Sequence, residues 1–277
     1  MELKRLITML LVFSLAGVSV PPFVRQIHRR FVGVNAAVYL ENHNLEYYYP
    51  NEVRLIVERL AHEHQQPPKD ASIHKETGEV IPHEKGLYID VDQTVGNVIS
   101  APGGAELELV RIQVVPLLRT EHLLPLTAIL GSFTTPLMGA PGRVKNIRLS
   151  SEAINNTLVL PGVVFSFNEI VGERTLERGY QSAPIILGET VILGVGGGIC
   201  QTSSTLYNAV VRAGLEIVER RIHSLAPSYI QHGKDATVAW PHTDFKFKNN
   251  TDTPIIVKGA IQGGRVRVWI VGAEPKS

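Results

Sequence analysis

Apolar positions along this chain change period several times, and each change marks an element. In Glu52-Val-Arg-Leu-Ile-Val-Glu-Arg-Leu-Ala-His-Glu-His64, residues Val53, Ile56, Val57 and Leu60 recur on one helical face, and Pro50-Asn51 supplies the start. Gln65-Gln-Pro-Pro-Lys-Asp70 ends that helix, strand-like segments come next at Glu79–Ile81 and Leu87–Val91, and a second helix is predicted over Val91–Ser100, ahead of Pro102-Gly103-Gly104. Ala105–Pro116 alternates apolar and polar residues, the pattern of a half-buried strand. From about Ser132 the texture changes. Turn signals at Pro141-Gly142, Pro161-Gly162 and Gly172 separate short apolar segments, and two strand-like runs flank Gln262-Gly263-Gly264, predicting a β-hairpin. The pattern predicts an α+β protein of two small domains, 35–120 and 131–277, the second a mixed, β-rich α+β fold, with residues 117 to 131 as exit and linker.

Ahead of both, Lys4 and Arg5 precede an uncharged run from Leu6 to Val24 that breaks at Pro21-Pro22. A basic pair before an apolar stretch at the N-terminus reads as an export signal, or as a membrane anchor if uncleaved. Residues 1–34 are assigned to it, and the rest is expected outside the cytoplasm, secreted or membrane-anchored at the cell wall.

Composition narrows the function. The chain of 277 residues carries 27 Lys+Arg against 26 Asp+Glu, so it lacks the basic excess that holds a nucleic-acid backbone. Its 44% hydrophobic and 19% charged content excludes wholesale disorder and a polytopic membrane protein. The single cysteine, Cys200, excludes an intrachain disulfide and any multi-cysteine zinc site. His62 and His64 do not share a helix face and make a poor metal pair, so no metal site is expected. The glycine run before Cys200 lacks the lysine of a phosphate loop, and no cofactor is expected.

Chemistry concentrates in Gly194-Val-Gly-Gly-Gly-Ile-Cys-Gln-Thr-Ser-Ser-Thr-Leu-Tyr-Asn-Ala-Val-Val-Arg-Ala-Gly214. Gly196 to Gly198 free the backbone, and the segment after them is helix-like as far as Gly214, which puts Cys200 at or just inside a helix N-terminus. Unpaired N–H groups there, with the positive end of the helix dipole, favour a thiolate and could hold an oxyanion. A thiol nucleophile in acyl transfer also wants a base and a group that orients it. Leu215–Ile222 reads as a strand ending at His223, the candidate base, and Asp235 or Asp244 is the candidate orienter, with Asp235 preferred. The turn spanning Gly196–Gln201, with Gly197, Gly198 and Gln201, supplies the candidate oxyanion groups, and Ser203 and Tyr207 complete the candidate substrate side.

Gly196-Gly-Gly-Ile-Cys-Gln-Thr-Ser-Ser-Thr-Leu-Tyr-Asn-Ala209 resembles the signature of the VanW domain family. Ordered matches continue through Phe133-Thr-Thr, Arg143-Val-Lys-Asn-Ile147, Pro161–Asn168, Gly179-Tyr180, His223-Ser224, Tyr229, Asp235-Ala-Thr237 and Asp244–Asn250. The preceding unit, with Gly86-Leu-Tyr-Ile-Asp-Val91 and Val115-Pro116, resembles the peptidoglycan-binding domain that often precedes VanW domains. The family is named for an accessory protein encoded in some vancomycin-resistance clusters, and some members are regarded as L,D-transpeptidases. The resemblance therefore implies an exported cell-wall protein acting on peptidoglycan stem peptides: a thiol acyltransferase forming 3-3 cross-links, with Cys200 as nucleophile and His223 as general base. Two other readings stay open, a non-catalytic peptidoglycan-binding or accessory protein and a thiol peptidase or amidase on stem peptides. Thr202, where the family is commonly apolar, and Trp240-Pro241-His242, in place of a small or polar turn, depart from the pattern.

Overall fold

A computed structural model describes residues 21–187 and 190–274. The proposed signal lies mostly outside the described residues. The described residues fold as two units, one taking in residues up to Lys69 together with Glu84–Leu117, the other Asp70–His83 together with the chain from Leu118 onward. Helices and small sheets mix in both, an α+β architecture.

The first unit runs α1 (Pro22–Val32), β1 (Tyr39–Leu40), β2 (His43–Asn44) and α2 (Pro50–His64). Pro50 stands at the first helical position, and Glu52 reaches back to accept the Tyr49 N–H at 2.9 Å, closing the α2 N-terminus. Val53, Val57, Leu60 and Ala61 are the buried face of α2.

The chain then passes through β3 (Ser72–Ile73) and β4 (Val80–Ile81), a hairpin that belongs to the second unit. Its Ala71 is buried with Leu123, Leu126, Ile256 and Val271, and Asp70 Oδ1 accepts the Leu118 N–H at 2.9 Å.

Back in the first unit, β5 (Gly86–Ile89) stops where Asp90 caps α3 (Val91–Ser100), its Oδ1 accepting the Gln93 N–H at 2.9 Å. The run Ala105–Pro116, expected as one half-buried strand, is two: β6 (Glu106–Leu107) pairs in parallel with β1, and β7 (Arg111–Val114) pairs with β5 and is exposed throughout. The chain changes partners between them because Leu109 turns into the core and the Val110 carbonyl accepts the Asp90 N–H.

The second unit continues through α4 (Thr120–Leu123), β8 (Ala128–Pro136), α5 (Pro141–Ile154), β9 (Thr157–Val159), β10 (Val164–Ser166), α6 (Phe167–Val171), β11 (Ser182–Leu187), β12 (Thr190–Val195), α7 (Ile199–Arg212), β13 (Glu216–Glu219), β14 (Lys246–Lys248), β15 (Ile255–Gln262) and β16 (Arg265–Gly272). The predicted hairpin is β15–β16, and it forms the centre of an antiparallel sheet ordered β8-β16-β15-β9. A three-stranded sheet, β10-β14-β13, and a two-stranded ribbon, β11-β12, complete the unit. One core joins Phe165, Phe167, Phe245 and Phe247 to Leu206, Ala209 and Val210 of α7 and to Ile255, Val257, Val268 and Ile270 of the hairpin. Helix α7, which carries Cys200, is thus anchored by a buried apolar face.

Candidate functional site

Helix α7 begins where the sequence predicts it. Gly198 is its N-cap at φ 105°, a conformation that L side chains rarely adopt. Gly197 is required for a different reason: a Cβ there would lie 2.5 Å from the Ala183 carbonyl oxygen, because the β11–β12 ribbon crosses at van der Waals distance. Asn146 fastens the same turn, donating from Nδ2 to the Gly197 carbonyl at 2.9 Å and to the Gln181 carbonyl at 2.8 Å.

Cys200 is the second residue of α7 and lines a cavity of about 370 Å³. Its lining includes Arg143, Arg174, Pro184, Ile185, Ile186 and Val195, together with His223, Tyr229, Thr237, Val238 and Trp240. The thiol is half-buried and donates weakly to the Val238 carbonyl at 3.5 Å.

His223 is buried at 7% exposure. It does not end a strand as expected: β13 stops at Glu219, where the chain leaves β14 and runs beside residues 235–237, with the Thr237 N–H donating to the Arg221 carbonyl at 2.7 Å. That change of partner puts the imidazole against Asp235. One carboxylate oxygen, Asp235 Oδ2, accepts the His223 backbone N–H at 2.7 Å and meets the ring Nδ1 at 2.6 Å. Burial pulls the imidazole toward its neutral form, but its hydrogen bond to Cys200, the charge there and Asp235 outweigh burial and raise its pKa above 6.5. Burial likewise opposes ionisation of Asp235, and the two hydrogen bonds from His223 prevail, holding its pKa below 3.8.

Asp244 is placed elsewhere. Its carboxylate accepts Ser166 Oγ at 2.5 Å, the Asn168 N–H at 2.9 Å and its neighbour Phe245's N–H at 2.8 Å, so it joins β10 and α6 to the segment entering β14.

The remaining candidates divide. Gly198 and Gln201 line the cavity, but the Gln201 side chain is spent on structure: Oε1 accepts Arg143 Nη2 at 3.0 Å, and Nε2 donates to Thr135 Oγ1 at 3.0 Å and the Pro136 carbonyl at 2.7 Å. Of the N–H groups expected to hold an oxyanion, those of Ile199 and Gln201 are already given to the carbonyls of Gly196 and Gly198. The Cys200 N–H, in the first helical turn, has no intrahelical acceptor. Ser203 and Tyr207 do not line the cavity: Ser203 Oγ donates to the Ala236 carbonyl at 2.6 Å, and the Tyr207 ring packs under the Arg220 guanidinium, 4.1 Å away. Thr202 is buried, its hydroxyl paired with Ser150 Oγ at 2.7 Å, so a polar residue at this position is satisfied internally.

Arg143, Arg174, Tyr229 and Thr237 line the cavity and carry no site role in the sequence reading. Arg143 and Arg174 lie far from Cys200 in sequence, on α5 and after α6, and only the fold brings them to it. Burial raises the Tyr229 pKa, and the charge at Cys200 adds to that. Among the described residues no group of three or more His, Cys, Asp or Glu side chains could hold a metal.

Fold and site together define a class: an α+β protein whose second unit presents a thiol at the head of a helix and, in the same cavity, an imidazole held by a buried carboxylate. Comparison with known proteins points to a family. Residues 142–271 match the family described as "VanW like protein", and residues 35–108 match the family described as "Putative peptidoglycan binding domain". Among relatives, the chain is 41% identical over 174 residues to the uncharacterized protein YoaR of Bacillus subtilis (strain 168), covering 62% of this chain and 57% of YoaR. It is 29% identical over 115 residues to the vancomycin B-type resistance protein VanW of Enterococcus faecalis (strain ATCC 700802 / V583), covering 40% of this chain and 42% of that one. The chain thus spans about half the length of the curated relatives it matches. No solved structure gives a significant match. Among the described residues no helix is long and apolar enough to cross a membrane.

Proposed function

We propose that this protein works at the bacterial cell wall, and that its VanW domain is an L,D-transpeptidase-like thiol acyltransferase acting on peptidoglycan stem peptides. The observation that carries the reading is the line from Cys200 through His223 to Asp235, set in a cavity lined by both the thiol and the imidazole. The domain match at 35–108 supports peptidoglycan as the partner.

In this reading His223 takes the Cys200 proton, and Asp235, bonded to Nδ1, fixes the imidazole so that its other nitrogen faces the thiol. The sulfur attacks the carbonyl of the L-to-D peptide bond before the terminal D-alanine. The tetrahedral oxyanion is met by the Cys200 N–H at the head of α7. His223 returns the proton to the departing amine, D-alanine leaves, and the acyl group remains as a thioester. An acceptor side-chain amine then displaces the sulfur and gives a 3-3 cross-link, while water in its place gives a tripeptide.

The test incubates the purified full-length protein and its Cys200→Ala variant with disaccharide-tetrapeptide and tracks products by mass spectrometry. A cross-linked dimer short of one D-alanine, formed by the wild type alone, is the expected result. Tripeptide without dimer replaces the transferase by a hydrolase. No product from either protein, with Cys200 inert to alkylation, overturns the catalytic reading and leaves wall binding.

A further inference from the structure

The cavity beside Cys200 is lined by two guanidiniums, Arg143 and Arg174, and among the described residues neither has a carboxylate at ion-pair distance. Arg174 lines it and donates Nη2 to Asn168 Oδ1 at 2.8 Å, while its Nη1 is buried with no hydrogen-bond partner. No carboxylate among the described residues stands within ion-pair distance of it, and its nearest ring contact is Phe167, 5.7 Å from the guanidinium. Arg143, the other guanidinium of the lining, differs: it spends Nε on the Met138 carbonyl at 3.2 Å and Nη2 on Gln201. Glu173 is the one carboxylate among the described lining residues, and it is exposed. A second polar atom of the same lining, Thr237 Oγ1, is also buried without a partner.

Leaving a buried guanidinium nitrogen unmatched is costly, and a planar fork of donors suits a carboxylate best. The rest of the lining is largely apolar, including Pro184, Ile185, Ile186 and Trp240, which fits a small organic acid better than a polyanion. Arg174 is also close enough to Cys200 to feel its charge. In a donor cleaved before its last residue, the terminal carboxylate lies three bonds from the scissile carbonyl, so a group that holds it stands in the same cavity as the attacking sulfur.

We propose that Arg174 is an anion subsite of this cavity, binding a carboxylate of the acyl donor next to the scissile carbonyl, namely the free terminal carboxylate of the leaving residue. This rests on the acyl-transfer reading for its substrate, but not for its test. The site then accepts donors that end in a carboxylate one residue beyond the bond cleaved and discriminates against those whose terminus is amidated.

The experiment compares alkylation of Cys200 by iodoacetate, an anion, and iodoacetamide, its neutral counterpart, in full-length wild type, Arg174→Gln and Arg174→Lys. The wild type is expected to favour iodoacetate, relative to a free thiol, by roughly tenfold. Arg174→Gln loses that preference, its iodoacetate rate falling several-fold further than its iodoacetamide rate, and Arg174→Lys retains part of the preference. A residue that only stabilised the thiolate would slow both reagents together when removed, and that result overturns the proposal. So does an equal rate with both reagents in wild type, or a preference that survives in Arg174→Gln.

If Arg174→Gln does not fold, protection of the wild type decides. N-acetyl-D-alanine is expected to slow iodoacetamide where N-acetyl-D-alaninamide does not, and equal effects of the two overturn the proposal. Stem tetrapeptides amidated either at the terminal carboxyl or at a side-chain carboxyl of the third residue separate the two sources of the anion. Loss of turnover with the first supports the assignment, and loss with the second alone overturns it. Absence of turnover with every donor fails the acyl-transfer reading while the alkylation preference still stands or falls separately.

Discussion

Asp235 holds His223 twice through a single oxygen: Oδ2 accepts the backbone N–H at 2.7 Å and meets the ring Nδ1 at 2.6 Å. Backbone and side chain of the histidine are thereby fixed together, and the imidazole cannot turn without disturbing the chain that carries it. With both groups buried, removing the carboxylate leaves two polar groups unpaired. Asp235→Ala is expected to cost about 3 kcal/mol. The sign of its pH dependence comes from both partners. The raised His223 pKa gives stability that is complete below 6.5 and is lost as pH rises through the folded midpoint. The lowered Asp235 pKa gives stability present above 3.8 and lost as pH falls through its own folded midpoint. Urea unfolding across pH is therefore expected to show the widest gap between wild type and Asp235→Ala from pH 3.8 to 6.5, closing on both flanks. A gap that stays constant through both flanks contradicts the pairing.

The second candidate orienter gives a contrast. Asp244 accepts three hydrogen bonds at 2.5–2.9 Å, from Ser166, Asn168 and Phe245, and none from His223. Asp244→Ala is expected to destabilise by about 2–3 kcal/mol while the folded protein keeps its Cys200 alkylation rate. Chemical denaturation and a thiol-labelling time course separate the two effects, and a large loss of thiol reactivity in protein still folded would return Asp244 to the site.

How much of the molecule is legible in its sequence depends on the range of the interactions. Helices α2 and α3, the β15–β16 hairpin and the start of α7 rest on local signals: apolar period, Pro50, Asp90, Gly263-Gly264 and Gly198. The division of Ala105–Pro116 into β6 and β7 did not show, because alternation says which residues face alike and not which strand each half will pair with. His223 and Asp235 could be nominated by residue type, but their meeting depends on where β13 leaves the sheet. Arg174 gave no signal at all, since an arginine after a short helix is ordinarily solvated. Its significance lies in burial, which only packing creates.

The helix cap makes a backbone prediction. Gly198 sits at φ 105° and ψ −19°, so Gly198→Ala forces a side chain into a region that costs about 1–3 kcal/mol. The added Cβ would also lie 2.8 Å from Arg143 Cγ. Two effects are expected together, a lower unfolding midpoint and slower alkylation of Cys200, because the cap sets where the first turn of α7 begins. Substitution with unchanged thiol kinetics would show that the turn is not what positions the sulfur.

Ser204 connects that sulfur's residue to the loop carrying Asp235. Its Oγ donates to the Cys200 carbonyl at 2.6 Å and accepts the Ala236 N–H at 2.9 Å. The neighbouring Ser203 Oγ donates to the Ala236 carbonyl at 2.6 Å, and Ser204 also reaches that carbonyl at 3.5 Å. The two serines are therefore unequal. Ser204→Ala strands a buried N–H, at about 1–3 kcal/mol, and frees the Cys200 carbonyl as well, whereas Ser203→Ala strands only the Ala236 carbonyl, because the single Ser204 proton stays on the Cys200 carbonyl. The larger loss of stability is expected in Ser204→Ala, together with a weakened hold on Asp235 and a His223 midpoint shifted toward its ordinary value. Urea unfolding ranks the two variants, and the histidine ring resonances monitored through a pH titration report the shift. The opposite order of stabilities would mean that Ser203, not Ser204, ties the Cys200 helix to the Asp235 loop.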